Sequence, residues 1–249
     1  AGESIQLRLE CIDALETHYT SGSPDLSKQP TKQAAAARAG LLELLGFTAV
    51  EWNENGTKII ACAADDQPGY ILTNKMDSHG ARPVAYAFAG SLPAGKADGE
   101  DFFLKAEHLK KSVNFKLVEK GFAYPMYYEG AFYDLRQAFN EAVTTAKNDP
   151  KANSIWLNDV TTTGFEAPPF ATLTEDNALW PKLFRRVSSY FADTPGAQSL
   201  DGFVQWLENN KDPCFDLDTG SPTNLHNFVV VENGTARLTK EITRLLFKD

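Results

Sequence analysis

The sequence predicts an α+β protein, and three patterns carry that prediction. From Ile5 to Ile12, Gln6, Arg8 and Glu10 alternate with Leu7, Leu9 and Cys11, the period of a half-buried strand. Further short strand-like runs follow through the first half around a single helix. In the second half apolar residues recur at steps of three or four, as they do along amphipathic helices. With 249 residues, 43% of them hydrophobic, the chain can bury one sizeable core, or one core plus a smaller appended module.

The elements follow in order. Ser21 to Pro30, rich in serine and proline, reads as a loop, and it leads into a helix over Thr31 to Leu45, with Gly46 where a C-cap falls. Phe47 to Trp52 and Thr57 to Ala63 read as strands joined at Asn55-Gly56, and Tyr70 to Thr73 and Pro83 to Phe88 as two more. Gly90 to Asp101 is a loop. Val113 to Glu119 is helical and stops at Gly121. Phe132, Leu135, Phe139, Ala142, Val143 and Ala146 then mark an amphipathic helix ending near Asp149-Pro150. A shift in composition at Thr161 to Gly164 places a boundary near residue 159, dividing residues 1–158 from a C-terminal accessory region, 159–249. In that region Leu179 to Phe191 and Leu200 to Asn209 read as helices packed through Trp180, Phe184, Phe191, Phe203, Trp206 and Leu207. Phe228 to Glu232 and Thr235 to Thr239 read as a hairpin about Asn233-Gly234.

A formal charge of −9, from 33 acidic against 24 basic residues, argues against a protein held to nucleic acid by a broad basic face. Any phosphate site must be local. Cys11, Cys62 and Cys214 cannot all pair with one another and are expected as core residues. No apolar run approaches the roughly eighteen residues of a membrane span, and Ala1-Gly2-Glu3-Ser4 lacks the basic start of a signal peptide. Neither a membrane partner nor a leader is expected, which leaves cytoplasmic and secreted locations open. Both Asn-Gly-Thr triplets, at Asn55 and Asn233, read better as hairpin turns than as glycosylation sites.

Chemistry concentrates in Leu7 to Thr17, where a strand carrying Arg8 runs into a turn bearing Asp13 and Glu16. Carboxylates at such a turn can hold a hard cation or activate water, and an arginine can grip a phosphate oxygen in bidentate fashion. On spacing alone Asp-x-x-Glu describes a solvated turn or an N-cap better than a site. Strand geometry adds a condition: an offset of five places Arg8 and Asp13 on opposite faces unless the chain bends between them.

The same residues, Arg8-Leu9-x-x-Ile12-Asp13-Ala14-x-Glu16-Thr17, resemble the signature of the staphylococcal-nuclease-like (thermonuclease) family. Asp77 to Tyr86 is similar to that family's Asp-x-x-Gly-Arg-x-x-Ala-Tyr strand, and Val113-Asn114-x-x-Leu117-Val118-x-x-Gly121-x-Ala123 to its Val-Asn helix. Ile155-Trp156-Leu157 resembles the end of its last helix. The resemblance implies an OB-fold, a five-stranded Greek-key β-barrel with three helices, and a calcium-dependent endonuclease acting on single-stranded DNA or RNA, expected as a monomer. Asp13 would be the calcium ligand, Glu16 the general base, Arg8 and Arg82 the phosphate clamp, and Tyr127 a substrate-facing tyrosine.

There are departures. The family's first calcium-binding aspartate lies about fourteen residues before the arginine, whereas only seven residues precede Arg8. Truncation of the first strands is expected over completion of the barrel by the hairpin at Phe228 to Thr239. An extra residue in Gly80-Ala81 stands before Arg82, and His79 is expected as an exposed loop residue. A non-catalytic nucleic-acid or protein-binding module is the alternative to the nuclease. A third reading has the C-terminal region docking a partner, with Arg185-Arg186 on a solvated helix face.

Overall fold

The computed structural model describes residues 5–54, 56, 58–64, 66–77, 82–166 and 172–248. His79 and Asn55, and the Gly80-Ala81 insertion, lie outside them. The anticipated first strand is broken in two. β1 is Arg8–Leu9 and β2 is Ile12–Asp13, and between them Cys11 adopts φ 62°, a left-handed conformation that side chains with a Cβ adopt at a cost. This is the bend that Arg8 and Asp13 need in order to face one site.

The chain continues with α1 (Thr31–Leu44), β3 (Glu51–Trp52), β4 (Ile59–Ala61), β5 (Gly69–Met76), β6 (Pro83–Ala89), α2 (Ala106–Leu109), α3 (Val113–Glu119), β7 (Tyr124–Pro125), β8 (Tyr127–Tyr128) and α4 (Tyr133–Asn148). Beyond these come β9 (Phe165–Glu166), α5 (Pro181–Asp193), α6 (Phe203–Asn209), β10 (Pro213–Asp216), β11 (Ser221–Asn224), β12 (Val229–Glu232), β13 (Thr235–Leu238) and β14 (Leu245–Phe247). The fold is mixed α and β, built on several small sheets, and among the described residues none closes into a barrel. β1 runs parallel to β6, with Arg8 opposite Val84, and β5 flanks β6 antiparallel. β2 leaves this sheet and pairs with β7 instead, with Asp13 opposite Tyr124.

One side chain holds the break. Asn114, fully buried at the start of α3, donates from Nδ2 to the carbonyls of Glu10 and Ala85 at 2.9 and 3.0 Å and accepts from the Ala87 amide at 3.0 Å. It thereby replaces ladder bonds that β1 forfeits at the bend, where an unpaired buried carbonyl would be costly. Ser112 caps α3 by accepting from the Phe115 amide, and Gly121 ends it at φ 71°, where a Cβ would meet Ser154 Oγ at 2.2 Å. Much of the Val-Asn motif is therefore scaffold for the bend.

The stretches divided at residue 159 share one core. Leu15, Leu26, Tyr124 and Met126 pack in a single buried cluster with Trp180, Phe184, Phe191, Phe203, Leu207 and Phe247. β14 also runs parallel to β8, with Leu246 opposite Tyr127. The predicted hairpin forms as β12 and β13, with Asn233 and Gly234 at φ 52° and 80°, but it pairs with β9 rather than with the β1-β6-β5 sheet. Cys11 and Cys214 are buried and free, while Cys62 is only partly covered. Burial, followed by the charge of Glu10, pushes the Cys11 thiol far up, which keeps it protonated and inert.

Removing the Asn114 side chain takes a hydrogen bond from three backbone groups, of which the Ala85 carbonyl keeps a second one from the Glu10 amide at 2.9 Å. Asn114→Ala should lower unfolding free energy by about 2–3 kcal/mol in urea titrations, with the m-value retained.

Candidate functional site

A cleft of about 800 Å³ opens where the signature turn meets α5. The signature half contributes Arg8, Arg38 and Arg82, and the C-terminal half contributes Lys182, Arg185, Arg186 and Lys248. Against these stand only Asp13, Glu16 and Asp212. The protein is acidic overall, yet the wall of this cleft is positive on balance, the local arrangement that a phosphate site requires.

The bend at Cys11 and the turn after β2 bring Arg8, Asp13 and Glu16 to the same wall, and Arg82, immediately before β6, joins them. Gln29 fixes the turn. Fully buried, it accepts from the Glu16 amide at 3.0 Å and donates to the Leu179 carbonyl just ahead of α5, while its own amide donates to the Glu16 carbonyl at 2.8 Å. Arg8 stacks its guanidinium 4.8 Å from the Tyr128 ring centroid. Arg82 donates through Nε and Nη2 to Asp77 at 2.9 and 2.6 Å, leaving its side chain 41% exposed at the rim. Arg38 lies 3.9 Å over the Trp52 ring.

Tyr127, expected to face substrate, is instead enclosed in the core, and its hydroxyl donates to Asn140 Oδ1 at 2.8 Å. Burial holds that hydroxyl well above its usual pKa. The adjacent Tyr128 is the tyrosine that lines the cleft.

The central contact joins the two halves. Arg185 of α5 donates from Nη2 to Asp13 Oδ2 at 2.8 Å and from Nη1 to Glu16 Oε1 at 2.7 Å and Asp13 Oδ1 at 3.3 Å. Its burial works against the charged form, but Asp13 and Glu16 outweigh that cost and raise its pKa, so it stays a cation. The solvated face expected for Arg185-Arg186 is thus a correction: their side chains are only 25% and 31% exposed, and both are paired. What exposes them to the cleft is the helical spacing of 182, 185 and 186 along α5.

A second ion cluster lies beside the first. Lys182 pairs with Asp212 at 2.8 Å with side chains 8% and 9% exposed, and Arg186 donates to the same carboxylate. Burial raises the Asp212 pKa, but hydrogen bonds and charge from Arg186 and Lys182 outweigh it and hold the carboxyl below its usual range. Lys182 shifts the other way in energetic terms: burial lowers its pKa more than one shared carboxylate restores. The two shifts differ because Asp212 has two cations and Lys182 a single carboxylate.

Calcium takes six to eight oxygen ligands. Here Asp13 and Glu16 supply carboxylates that Arg185 already holds, and among the described residues no group of three or more His, Cys, Asp or Glu side chains stands where it could hold a metal ion. In this arrangement the residues do not fit the calcium ion that the resemblance implies. Among the described residues no helix is long and apolar enough to cross a membrane. No protein-family model and no curated protein matches the chain.

Asp212→Asn would leave Lys182 buried against a neutral amide, at a cost of about 3–5 kcal/mol at neutral pH. Because the folded pKa of Asp212 is lowered, its contribution is complete above the unfolded value of about 3.9 and is lost as pH falls through the lower folded value. Urea midpoints measured from pH 7 to pH 2.5 should therefore drop more steeply below about pH 4 in the wild type than in the variant.

Proposed function

We propose that the cleft binds single-stranded DNA or RNA and hydrolyses its phosphodiester backbone. The observation that supports this most is the gathering of Arg8, Asp13, Glu16 and Arg82, drawn from three separate elements, on one wall of a cation-rich cleft. We read the β1-β6-β5 sheet with α1 and α3 as belonging to an OB-type unit, in keeping with the ordered motifs of the nuclease-like family. A phosphodiester resists attack because its charge repels the nucleophile. Guanidinium groups at Arg8 and Arg82 would spread that charge, while Glu16 accepts the proton of the attacking water. The water oxygen bonds to phosphorus as the bond to the leaving oxygen breaks, and the departing alkoxide takes up a proton from solvent water.

No step is assigned to calcium, since the described carboxylates do not form a cage for it. A non-catalytic nucleic-acid-binding module is the second reading, favoured by the pairing of Asp13 and Glu16 with Arg185.

Incubating labelled single-stranded DNA and RNA with the protein, with calcium or with chelator, tests the hydrolase. Shortened fragments are expected, and Arg82→Gln should slow their release by about 10²- to 10³-fold, the usual loss for one electrostatic donor. Glu16→Gln should fall by at least as much. Bound but intact oligonucleotide under every condition would overturn hydrolysis and support the binding module.

A further inference from the structure

Arg185 occupies an unusual position for a structural arginine. Its fork rests on the two carboxylates that the proposed reaction needs, inside the cleft that the phosphate would enter. Arg185 Nη1 donates to Glu16 Oε1 at 2.7 Å, so one of the two carboxylate oxygens is engaged by a guanidinium while the cleft is empty. A phosphodiester arriving between Arg8, Arg82 and this turn would bring further anionic oxygens against Asp13 and Glu16. A guanidinium presents the same fork to phosphate as to carboxylate, so it can exchange one for the other without a change of charge.

α5 itself is fixed: Pro181 opens it, and Leu183, Phe184 and Val187 are fully buried beneath it. Any exchange is therefore confined to the Arg185 side chain. On the same helix face Lys182 and Arg186 are committed to Asp212.

Resting on the reading of the cleft as a phosphodiester site, we propose that Arg185 is a substrate-binding residue that turns from Asp13 and Glu16 to the backbone phosphate when a strand enters. Substrate entry then frees both oxygens of Glu16 for the attacking water, and in the empty cleft the carboxylate is paired with a cation. The substrate class this selects is an anionic strand long enough to engage Arg185 together with the clamp arginines, rather than a free phosphate ion.

Equilibrium binding of a fluorescein-labelled single-stranded DNA in chelator, followed by anisotropy across a range of salt, tests this without any turnover. Arg185→Gln should bind about 10-fold more weakly, and its plot of log K against log salt should be shallower by about 0.7, the loss of one phosphate contact. Arg185→Lys should keep the wild-type slope. The double variant Asp13→Asn, Glu16→Gln, which releases Arg185 from its resting partners, should bind at least threefold more tightly. Circular dichroism verifies that each variant is folded. An unchanged slope and affinity in Arg185→Gln, or no tightening in the double variant, would reduce Arg185 to a latch and overturn the inference. A wild type that binds no strand at all would instead sink the phosphodiester reading on which it rests.

Discussion

The site depends on a single backbone constraint, the left-handed turn at Cys11. A regular strand through Arg8 and Asp13 would send their side chains to opposite faces. At φ 62° the chain leaves the β6 ladder and joins β7, and Arg8, Asp13 and Glu16 then line the same cleft. Strain of this kind persists only where the surroundings over-determine it. Asn114 supplies that support by satisfying the Glu10 and Ala85 carbonyls and the Ala87 amide, and the Cys11 carbonyl accepts from the Met126 amide at 3.0 Å.

The second constraint is electrostatic and comes from the other end of the chain. α5 inserts a guanidinium between two carboxylates, and a neighbouring pair of cations shares Asp212. The common core beneath, from Leu15 to Phe247, holds these groups in register, so the C-terminal segment is a wall of the cleft as well as a packing partner. An overall charge of −9 is compatible with a phosphate site because the cations are concentrated at this one junction.

Legibility in the sequence followed the range of the interactions. α1, α3, α4 and the β12–β13 hairpin were readable because their signals are local: apolar steps of three or four, a glycine stop, an Asn-Gly turn. β10 and β11 were not, since each is only four residues long and contains a proline, and their strand character comes from pairing with each other and, for β10, with β14. The need for a bend between Arg8 and Asp13 was visible from strand geometry, but its location at a cysteine was not. Tyr127 faces the core and Tyr128 the cleft, the exchange of face that one position makes in a strand. The Arg185 contact joins residues 169 and 172 positions apart, and no periodicity along a chain reports such a pairing.

The most direct measurement of the proposed chemistry is isotopic. A single-stranded DNA incubated with the protein in ¹⁸O-labelled water and resolved by mass spectrometry should yield fragments whose new terminal phosphate carries one ¹⁸O, because water attacks phosphorus. Fragments without label would contradict attack by a Glu16-activated water, and intact strands would contradict hydrolysis altogether.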